Sequence, residues 1–228
     1  MYRSFGKIFL LLVLANFDLF GQRFVPHTFM VGVEAPSILR SIISRERNMG
    51  ELQLNLNVAS HMVIFEYGFE DIDRRDSTFQ YNTNGPYFRS GIDFTLNPKN
   101  PDGHQIFTGF RYGQANYDNK LSFDYASEAF DSPNLSVDNN VKGNWLEWTF
   151  GMKVVLKKNF VMGYTMRYKF SPGFSGNGTL SSFDLPGYGR GSKQTNFGFN
   201  YYLYYRLQFR KPKATKKPIP IEEEGANP

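Results

Sequence analysis

Residues 196–210 read NFGFNYYLYYRLQFR, and their alternation is the strongest structural signal in the chain. Apolar and aromatic side chains occupy every second position of this stretch, from Phe197 to Phe209. Because successive side chains of a β-strand point to opposite faces, this spacing predicts one long strand with a continuous apolar face. A tilted strand of about 9–11 residues is long enough to cross a bilayer. The apolar face therefore requires either lipid or a second sheet as its partner.

Seven further segments repeat this alternation, which gives eight candidate strands in total. The seven segments are residues 28–35, 50–58, 61–70, 87–96, 104–115, 144–156 and 160–170. The first is the weakest, because residues 36–44 (PSILRSIIS) follow it with helical spacing, which fits either a short amphipathic helix on the rim or a separate strand. If residues 28–35 lay outside the barrel, the strand number would become odd.

The connections between these segments alternate in length. In order they span residues 36–49, 59–60, 71–86, 97–103, 116–143, 157–159 and 171–195, so that every second connection is long. Outer-membrane barrels have short periplasmic turns, longer external loops and an even number of strands. The pattern therefore predicts an all-β fold, an antiparallel up-and-down transmembrane β-barrel of about eight strands, surrounded by outer-membrane lipid. We expect Trp145, Trp148 and the Tyr and Phe residues near strand ends to form its aromatic girdles.

Composition agrees with a β-rich membrane protein and excludes several functions. The 228 residues include 17% aromatic side chains and 21 Gly but no Cys, which excludes disulfides, thiolate metal sites and cysteine nucleophiles. No stretch approaches the roughly 18–20 consecutive apolar residues of a transmembrane helix. The net charge of +5 partly reflects the basic C-terminal segment, so it does not indicate nucleic-acid binding.

Three regions are predicted along the chain. Residues 1–22, with Arg3 and Lys7 before the apolar run 8–14, have the form of a signal peptide for export to the outer membrane of a Gram-negative bacterium. Residues 23–210 form the β-barrel domain. Residues 211–228 (KPKATKKPIPIEEEGANP) cannot bury enough apolar surface to order themselves and are predicted to be a disordered periplasmic tail. The strand that ends at Phe209 resembles the aromatic-ended signal read by the barrel-assembly machinery, an expected partner during biogenesis.

The side chains opposite the apolar faces include ten charged residues. They are Glu34, Glu66, Arg89, Asp93, Arg111, Glu147, Lys153, Arg167, Lys169 and Arg206. An eight-stranded barrel is just wide enough for side chains to fill it, and buried opposite charges must pair. We therefore predict an ion-pair network with a structural role that closes the lumen, while a catalytic carboxylate pair or a conducting path stays open as an alternative.

No catalytic, cofactor-binding or metal-binding residue is assigned. The three histidines, His27, His61 and His104, fall at the periplasmic ends of the predicted strands, so a Ser–His–carboxylate site at the outer face lacks its base. Residues 187–193 (GYGRGSK) lack the spacing of a phosphate-binding loop and are predicted to be a flexible external loop. The favoured function is a non-enzymatic structural or surface-interaction protein, with an unknown ligand at loops 116–143 and 171–195. An outer-membrane lipid-modifying enzyme and a soluble, lipocalin-like lipid-binding barrel of the periplasm are the alternatives.

Several short motifs resemble a known family. They are FMVGVE at 29–34 with LRS at 39–41, EYGFE at 66–70, GFRYG at 109–113, WLE at 145–147 with GMK at 151–153, LPGYG at 185–189 and GFNYYLYYR at 198–206. Together they resemble an uncharacterised family of secreted Bacteroidota proteins regarded as outer-membrane β-barrels. This resemblance implies the barrel fold over nearly the whole mature chain, and it implies no activity, cofactor or catalytic residue.

Overall fold

The computed structural model describes residues 28–36, 47–58, 61–76, 79–98, 100, 102–123, 135–171, 175–176 and 183–209. The predicted signal peptide 1–22 and the tail 211–228 lie outside the described residues, as do residues 37–44 of the possible rim helix. Eight long strands make up the fold: β1 (Thr28–Glu34), β2 (Arg47–Val58), β3 (His61–Arg75), β4 (Phe79–Thr95), β5 (Gln105–Phe123), β6 (Leu135–Lys157), β7 (Phe160–Phe170) and β11 (Thr195–Gln208). The two-residue strands β8 (Ser175–Gly176), β9 (Asp184–Leu185) and β10 (Gly189–Arg190) lie between β7 and β11.

The eight long strands form one closed barrel. Each pairs antiparallel with its neighbours in sequence, and β1 pairs with both β2 and β11, which joins the two ends of the chain. Closure removes the exposed lateral edges that an open sheet would leave. The prediction of an eight-stranded antiparallel up-and-down barrel is therefore confirmed, and the segment that was weakest in sequence is a barrel strand. No helix in the described part of the chain is long and apolar enough to cross a membrane.

The barrel has two distinct ends. The inner end, as we call it, holds the start of β1, the end of β11 and the connections β2–β3, β4–β5 and β6–β7. The outer end holds the remaining connections. At the outer end the strands are longer than the sequence pattern predicted, since β3 continues to Arg75, β4 starts at Phe79, β5 continues to Phe123 and β6 starts at Leu135. The predicted long connections 71–86 and 116–143 therefore shrink to residues 76–78 and 124–134.

The two faces of the barrel wall differ in chemistry. In the part of the barrel wall that β11 spans, the outward side chains are large and exposed. Examples are Phe110 (62%), Trp148 (56%) and Phe199 (56%). Inward side chains are buried, and they include charged residues such as Glu66, Arg89 and Arg167. The girdle prediction is wrong for Trp145, which shares the inward face of Glu147 two residues on and is only 1% exposed. Tyr87, at the start of a predicted segment, is buried in the same way.

Glycines on the inward face make room for large neighbours. A Cβ atom at Gly113 would lie 2.2 Å from the Trp145 ring, and one at Gly68 would lie 2.1 Å from the Tyr87 ring. At Gly91 a Cβ would lie 1.9 Å from the main-chain oxygen of Phe110 on the paired strand. A clash with backbone cannot be relieved by a change of rotamer, so the lumen is packed to a density that only glycine permits at this position.

We expect the substitution Gly91→Ala to destabilise the barrel by about 1–3 kcal/mol, because the added methyl group must displace β5. The measurement is the urea dependence of folding in detergent, followed by the mobility of unboiled protein on a gel. Gly50→Ala is the matched control, because a Cβ at Gly50 meets nothing within 4 Å. Equal midpoints for the two variants would contradict the packing described here.

Candidate functional site

The centre of the lumen is organised around Arg167 of β7. Its guanidinium donates from Nη1 to Glu66 Oε2 (3.0 Å) and from Nη2 to Glu66 Oε1 (2.9 Å), a two-pronged pairing across the barrel. Nη1 also donates to Glu147 Oε2 at 2.7 Å, and Nη2 donates to the Tyr202 hydroxyl at 2.8 Å. The planar fork of arginine suits this bidentate geometry, which a lysine ammonium cannot reproduce. One side chain thus links β3, β6, β7 and β11.

A second guanidinium, that of Arg89 on β4, lies beside the same carboxylates. Its Nε is 2.6 Å from Glu66 Oε2, and its Nη1 is 3.4 Å from Glu147 Oε1. Its Nη2 donates to Glu51 on β2. Glu66 therefore lies between two arginines, and both of its oxygens are engaged.

The third part of the network lies closer to the inner end. Arg111 of β5 forms an ion pair with Asp93 of β4, with Nη1 2.6 Å from Oδ1 and Nη2 2.9 Å from Oδ2. The ammonium of Lys153 lies 3.9 Å from Asp93 Oδ2 and 4.9 Å from the centre of the Phe107 ring. A lysine held by one carboxylate and an aromatic face is stabilised both by charge pairing and by a cation–π contact.

The central network is electrically balanced. It contains four carboxylates (Glu51, Glu66, Asp93, Glu147) and four cations (Arg89, Arg111, Lys153, Arg167), all nearly inaccessible to solvent. Uncharged groups complete the bonding, because Trp145 Nε1 donates to Glu147 at 2.7 Å and the Tyr87 hydroxyl donates to Glu51 at 2.6 Å. Each buried charge of the set thus has a partner of opposite sign, as burial requires, and among the guanidinium nitrogens only Nε of Arg89 and Nε of Arg111 lack a hydrogen bond in the described part of the chain.

Glu51 is the member that the sequence analysis missed. It is 7% exposed and bonds to Arg89 and to the hydroxyls of Tyr87 and Tyr202. In segment 50–58 the apolar side chains begin at Leu52, and Glu51 is not among the ten charged residues predicted to face inward. Extending the inward set one step towards the N-terminus would have found Glu51.

Three of the ten predicted charged residues lie at the margins of this network. Glu34 accepts a hydrogen bond from the Asn200 amide, and Lys169 donates to the main-chain oxygens of Gly187 (2.6 Å) and Tyr188 (3.2 Å) at the outer end. Arg206 lies apart from the carboxylates at the inner end, where its Nη2 donates to the main-chain oxygen of Lys158 at 2.7 Å. The other seven lie together in the central network.

Apolar layers close the lumen on both sides of the charges. Towards the inner end lie Met30, Met62, Ile64, Phe107, Val161, Tyr202 and Tyr204. Towards the outer end lie Tyr87, Ala115, Tyr117, Val141, Trp145, Leu185 and Tyr188. Leu185 and Tyr188 belong to the loop region in which residues 187–193 were predicted to be flexible. That prediction is wrong at Tyr188, which is only 1% exposed because its ring enters the barrel mouth.

The histidines of the described region take no part in the network. His104 accepts a hydrogen bond at Nδ1 from the main-chain N–H of Val155 (3.1 Å), and the His61 ring packs edge-on against Phe94 with centroids 5.2 Å apart. His27 lies outside the described residues. Within the described part of the chain, no group of three or more acidic or histidine side chains is placed to hold a metal ion.

Comparison with known sequences places the chain in a family. The chain belongs to the family described as a domain of unknown function, DUF6048, whose profile matches residues 21–212. No curated protein matches the chain.

Several solved structures resemble the barrel at low sequence identity. Neisserial surface protein A is 14% identical, with 80% of this chain and 95% of that chain covered and a TM-score of 0.41. Ail, the attachment invasion locus protein of Yersinia pestis, is 11% identical over 80% of this chain and 100% of that chain, with a TM-score of 0.43. CarO2 of Acinetobacter baumannii is 13% identical over 82% of this chain and 100% of that chain, with a TM-score of 0.42.

We expect Arg167→Met to lower the free energy of unfolding by about 3–5 kcal/mol, because it leaves Glu66 and Glu147 with one guanidinium fewer in a buried site. Arg206→Met is the control, since Arg206 lies apart from the carboxylates of the network and donates to a main-chain oxygen at the inner end. Folding of both variants in detergent is measured by the urea midpoint of the unboiled gel mobility. If the two midpoints moved equally, the network would not hold the barrel together.

Proposed function

We propose that this protein is an outer-membrane β-barrel that performs a non-enzymatic, structural or surface-interaction role, with a lumen sealed by paired charges. The observation that carries the proposal is the distribution of side chains. The outward face is a continuous apolar and aromatic belt, while balanced ion pairs lie inside. Lipid is the solvent that suits this arrangement, since a closed barrel satisfies every backbone group internally and presents apolar side chains outward.

The belt has a sharp upper boundary, which supports a membrane position. On β5 the outward residues Ile106, Phe110 and Tyr112 are followed by Gln114 and Asn116, although the strand continues to Phe123. On β6 the change runs in the opposite direction along the chain, from Asn144 to Leu146 and Trp148. In a water-soluble barrel, the outward side chains of neighbouring strands have no reason to change from apolar to polar at the same height. We infer that the polar part of β3–β6 stands above the membrane on the cell surface.

The distribution argues against the lipocalin-like alternative. A soluble barrel that binds lipid requires an apolar cavity and a polar exterior, which is the reverse of the side chains here. The enzyme alternative gains no support from the described residues, because the buried carboxylates are engaged by guanidinium groups and both described histidines lie at the inner end. A surface role therefore remains the better proposal.

The proposed location carries further inferences about biogenesis. We infer that residues 1–22 direct export, that the barrel-assembly machinery inserts residues 23–210, and that the tail 211–228 extends into the periplasm. The resemblance to secreted Bacteroidota proteins agrees with a Gram-negative outer membrane. A surface ligand, if the protein binds one, would meet the outer end of the barrel.

The belt is tested by a pair of substitutions on one strand. We expect Phe110→Arg to destabilise the refolded protein in lipid vesicles by about 2–4 kcal/mol, because it places a charge on the lipid face. Asn116→Arg, three outward positions further along β5, should have little effect because it lies above the belt. Both positions are exposed, so a water-soluble protein would tolerate both changes alike. Equal stability of the two variants would overturn the membrane proposal.

The sealed lumen predicts the absence of conduction. Wild-type protein inserted into planar bilayers should give no steady single-channel current, because apolar layers and ion pairs fill the lumen at three levels. A general porin measured in the same bilayers is the positive control. Stable, ohmic openings of the wild-type protein would show that a conducting path exists.

A further inference from the structure

A short segment of the chain closes the outer mouth of the barrel. Residues 183–191, which we call the lid, contain the paired strands β9 and β10 and the turn between them. Leu185 is completely buried and Tyr188 is 1% exposed, although both belong to a connection between barrel strands. The lid therefore occupies a cleft in the mouth.

The barrel holds the lid mainly by its backbone. Lys169 donates to the main-chain oxygens of Gly187 and Tyr188, and Glu70 accepts from the main-chain N–H of Gly187 at 3.0 Å. The Tyr81 hydroxyl donates to the main-chain oxygen of Asp184 and accepts from its N–H, both at 3.3 Å. The Asn196 side chain of β11 donates to the main-chain oxygen of Arg190 at 2.9 Å. Six backbone polar atoms of one short segment are thus bound by side chains of β3, β4, β7 and β11.

Side chains of the lid contact the barrel at its start and at its centre, and the Phe183 ring packs edge-on against the Tyr81 ring with centroids 5.5 Å apart. The Tyr188 ring packs on the Trp145 ring with centroids 5.7 Å apart. Gly187 has a φ of 75°, and a Cβ there would lie 2.6 Å from the Tyr87 ring, so only glycine fits this approach. At the entrance, Arg74 forms an ion pair with Asp184 at 2.8 Å.

The lid is separable from the barrel wall. Its backbone hydrogen bonds within residues 183–191 are internal, as from Tyr188 N–H to the Leu185 oxygen (3.0 Å) and from Gly191 N–H to the Phe183 oxygen (3.0 Å). Among the described residues, no backbone hydrogen bond joins the lid to a strand of the barrel. The eight strands close without it, so the lid can leave the mouth while every strand pair stays intact.

We propose that the outer mouth is a peptide-binding cleft that the lid keeps occupied in cis. Most of these bonds recognise backbone N–H and C=O groups, so a peptide from another molecule can make the same bonds if it carries glycine at the position of Gly187. Trp145 and Tyr87 provide the surface for one aromatic side chain of that peptide, in the place of Tyr188. The cleft is blind, because the ion pairs of Arg89 and Glu147 form its floor.

The test uses a fluorescent peptide with the lid sequence, FDLPGYGRG, and the whole protein in detergent. In the double variant Leu185→Ala/Tyr188→Ala the tethered lid loses both buried side chains. We expect the peptide to bind this variant at least 10-fold more tightly than the wild type, because an intact tethered lid competes at a high effective concentration. Fluorescence anisotropy measures the affinity, and the unboiled gel mobility confirms that both proteins are folded.

Two controls distinguish recognition of the peptide backbone from non-specific binding of the peptide. The same peptide with an N-methyl group on the glycine that corresponds to Gly187 cannot donate to Glu70 and should bind at least 10-fold more weakly. Adding Lys169→Met to the double variant should weaken the unmodified peptide to a similar extent, because the donor to the two carbonyl oxygens is lost. Equal binding in all these cases would overturn the proposal.

Opening of the lid is measured independently with a single cysteine. The chain contains no Cys, and Ala115 is 5% exposed in the cluster that includes Leu185 and Tyr188, so Ala115→Cys reports access to the cleft. A water-soluble maleimide should label this cysteine at least 10-fold faster in the double variant than in the otherwise wild-type protein. Faster labelling without peptide binding would overturn the proposal. Unchanged labelling would overturn it as well, since a lid that does not leave the mouth cannot give its place to a second peptide.

Discussion

The pairing of buried charges is the constraint on which this structure depends. Arg89 and Arg167 reach Glu66 and Glu147 from strands that are far apart in sequence. An isolated charge in a dry lumen costs several kcal/mol, so each of these side chains requires the others to be in place. Only the closed barrel brings β2, β3, β4, β6 and β7 around one point. The network therefore favours the correct strand order and register, since a slip by one residue would turn the charges outward.

The outward face follows from the same alternation. Every strand that directs a charge into the lumen directs an apolar side chain away from it, because the strand period is two. Phe65, Phe88 and Phe110 are outward neighbours of Glu66, Arg89 and Arg111 in the sequence. Apolar side chains therefore cover the exterior and charged side chains fill the interior. This distribution is the reverse of that in a water-soluble protein, and it suits a lipid surrounding. Size matters as well, because eight strands leave a lumen that side chains can fill.

The outer end differs from the rest of the barrel in how it is closed. Strands β3 to β6 continue past the apolar belt, and the inner face of this extension holds Tyr81, Tyr117 and Val141. The lid packs against this face, and its backbone is bound by Tyr81, Glu70 and Lys169. Lys169 thereby connects the two systems, since it follows Arg167 on the inward face of β7 and ends at the lid. Strand β7 thus contributes both to the ion pairs that fill the lumen and to the hydrogen bonds that hold the lid.

Much of this architecture could be predicted from local alternation. Segments such as 61–70, 144–156 and 196–210 carry an apolar or aromatic side chain at every second position. Strand identity, the inward position of Glu66 and Arg167, and the even strand number could therefore be derived without contacts. The prediction stopped at residues 71–86 and 116–143 because outward Asn82, Asn84 and Asp118 remove the apolar signal while backbone pairing continues. Trp145 was misplaced for a related reason, since aromatic character suggested the girdle although its parity with Glu147 placed it inside.

The chain by itself therefore determined the period of its strands, and with it which side chains face lipid and which face the lumen. Only the tertiary structure decided which charged side chains pair with each other, including the role of Glu51 in the charge balance and the position of Arg206 away from the carboxylates. It also decided that residues 183–191 enter the mouth of the barrel. The physical reason is that side-chain direction is a property of the local backbone, whereas pairing depends on distances across the closed barrel. Those distances exist only once all eight strands are in register.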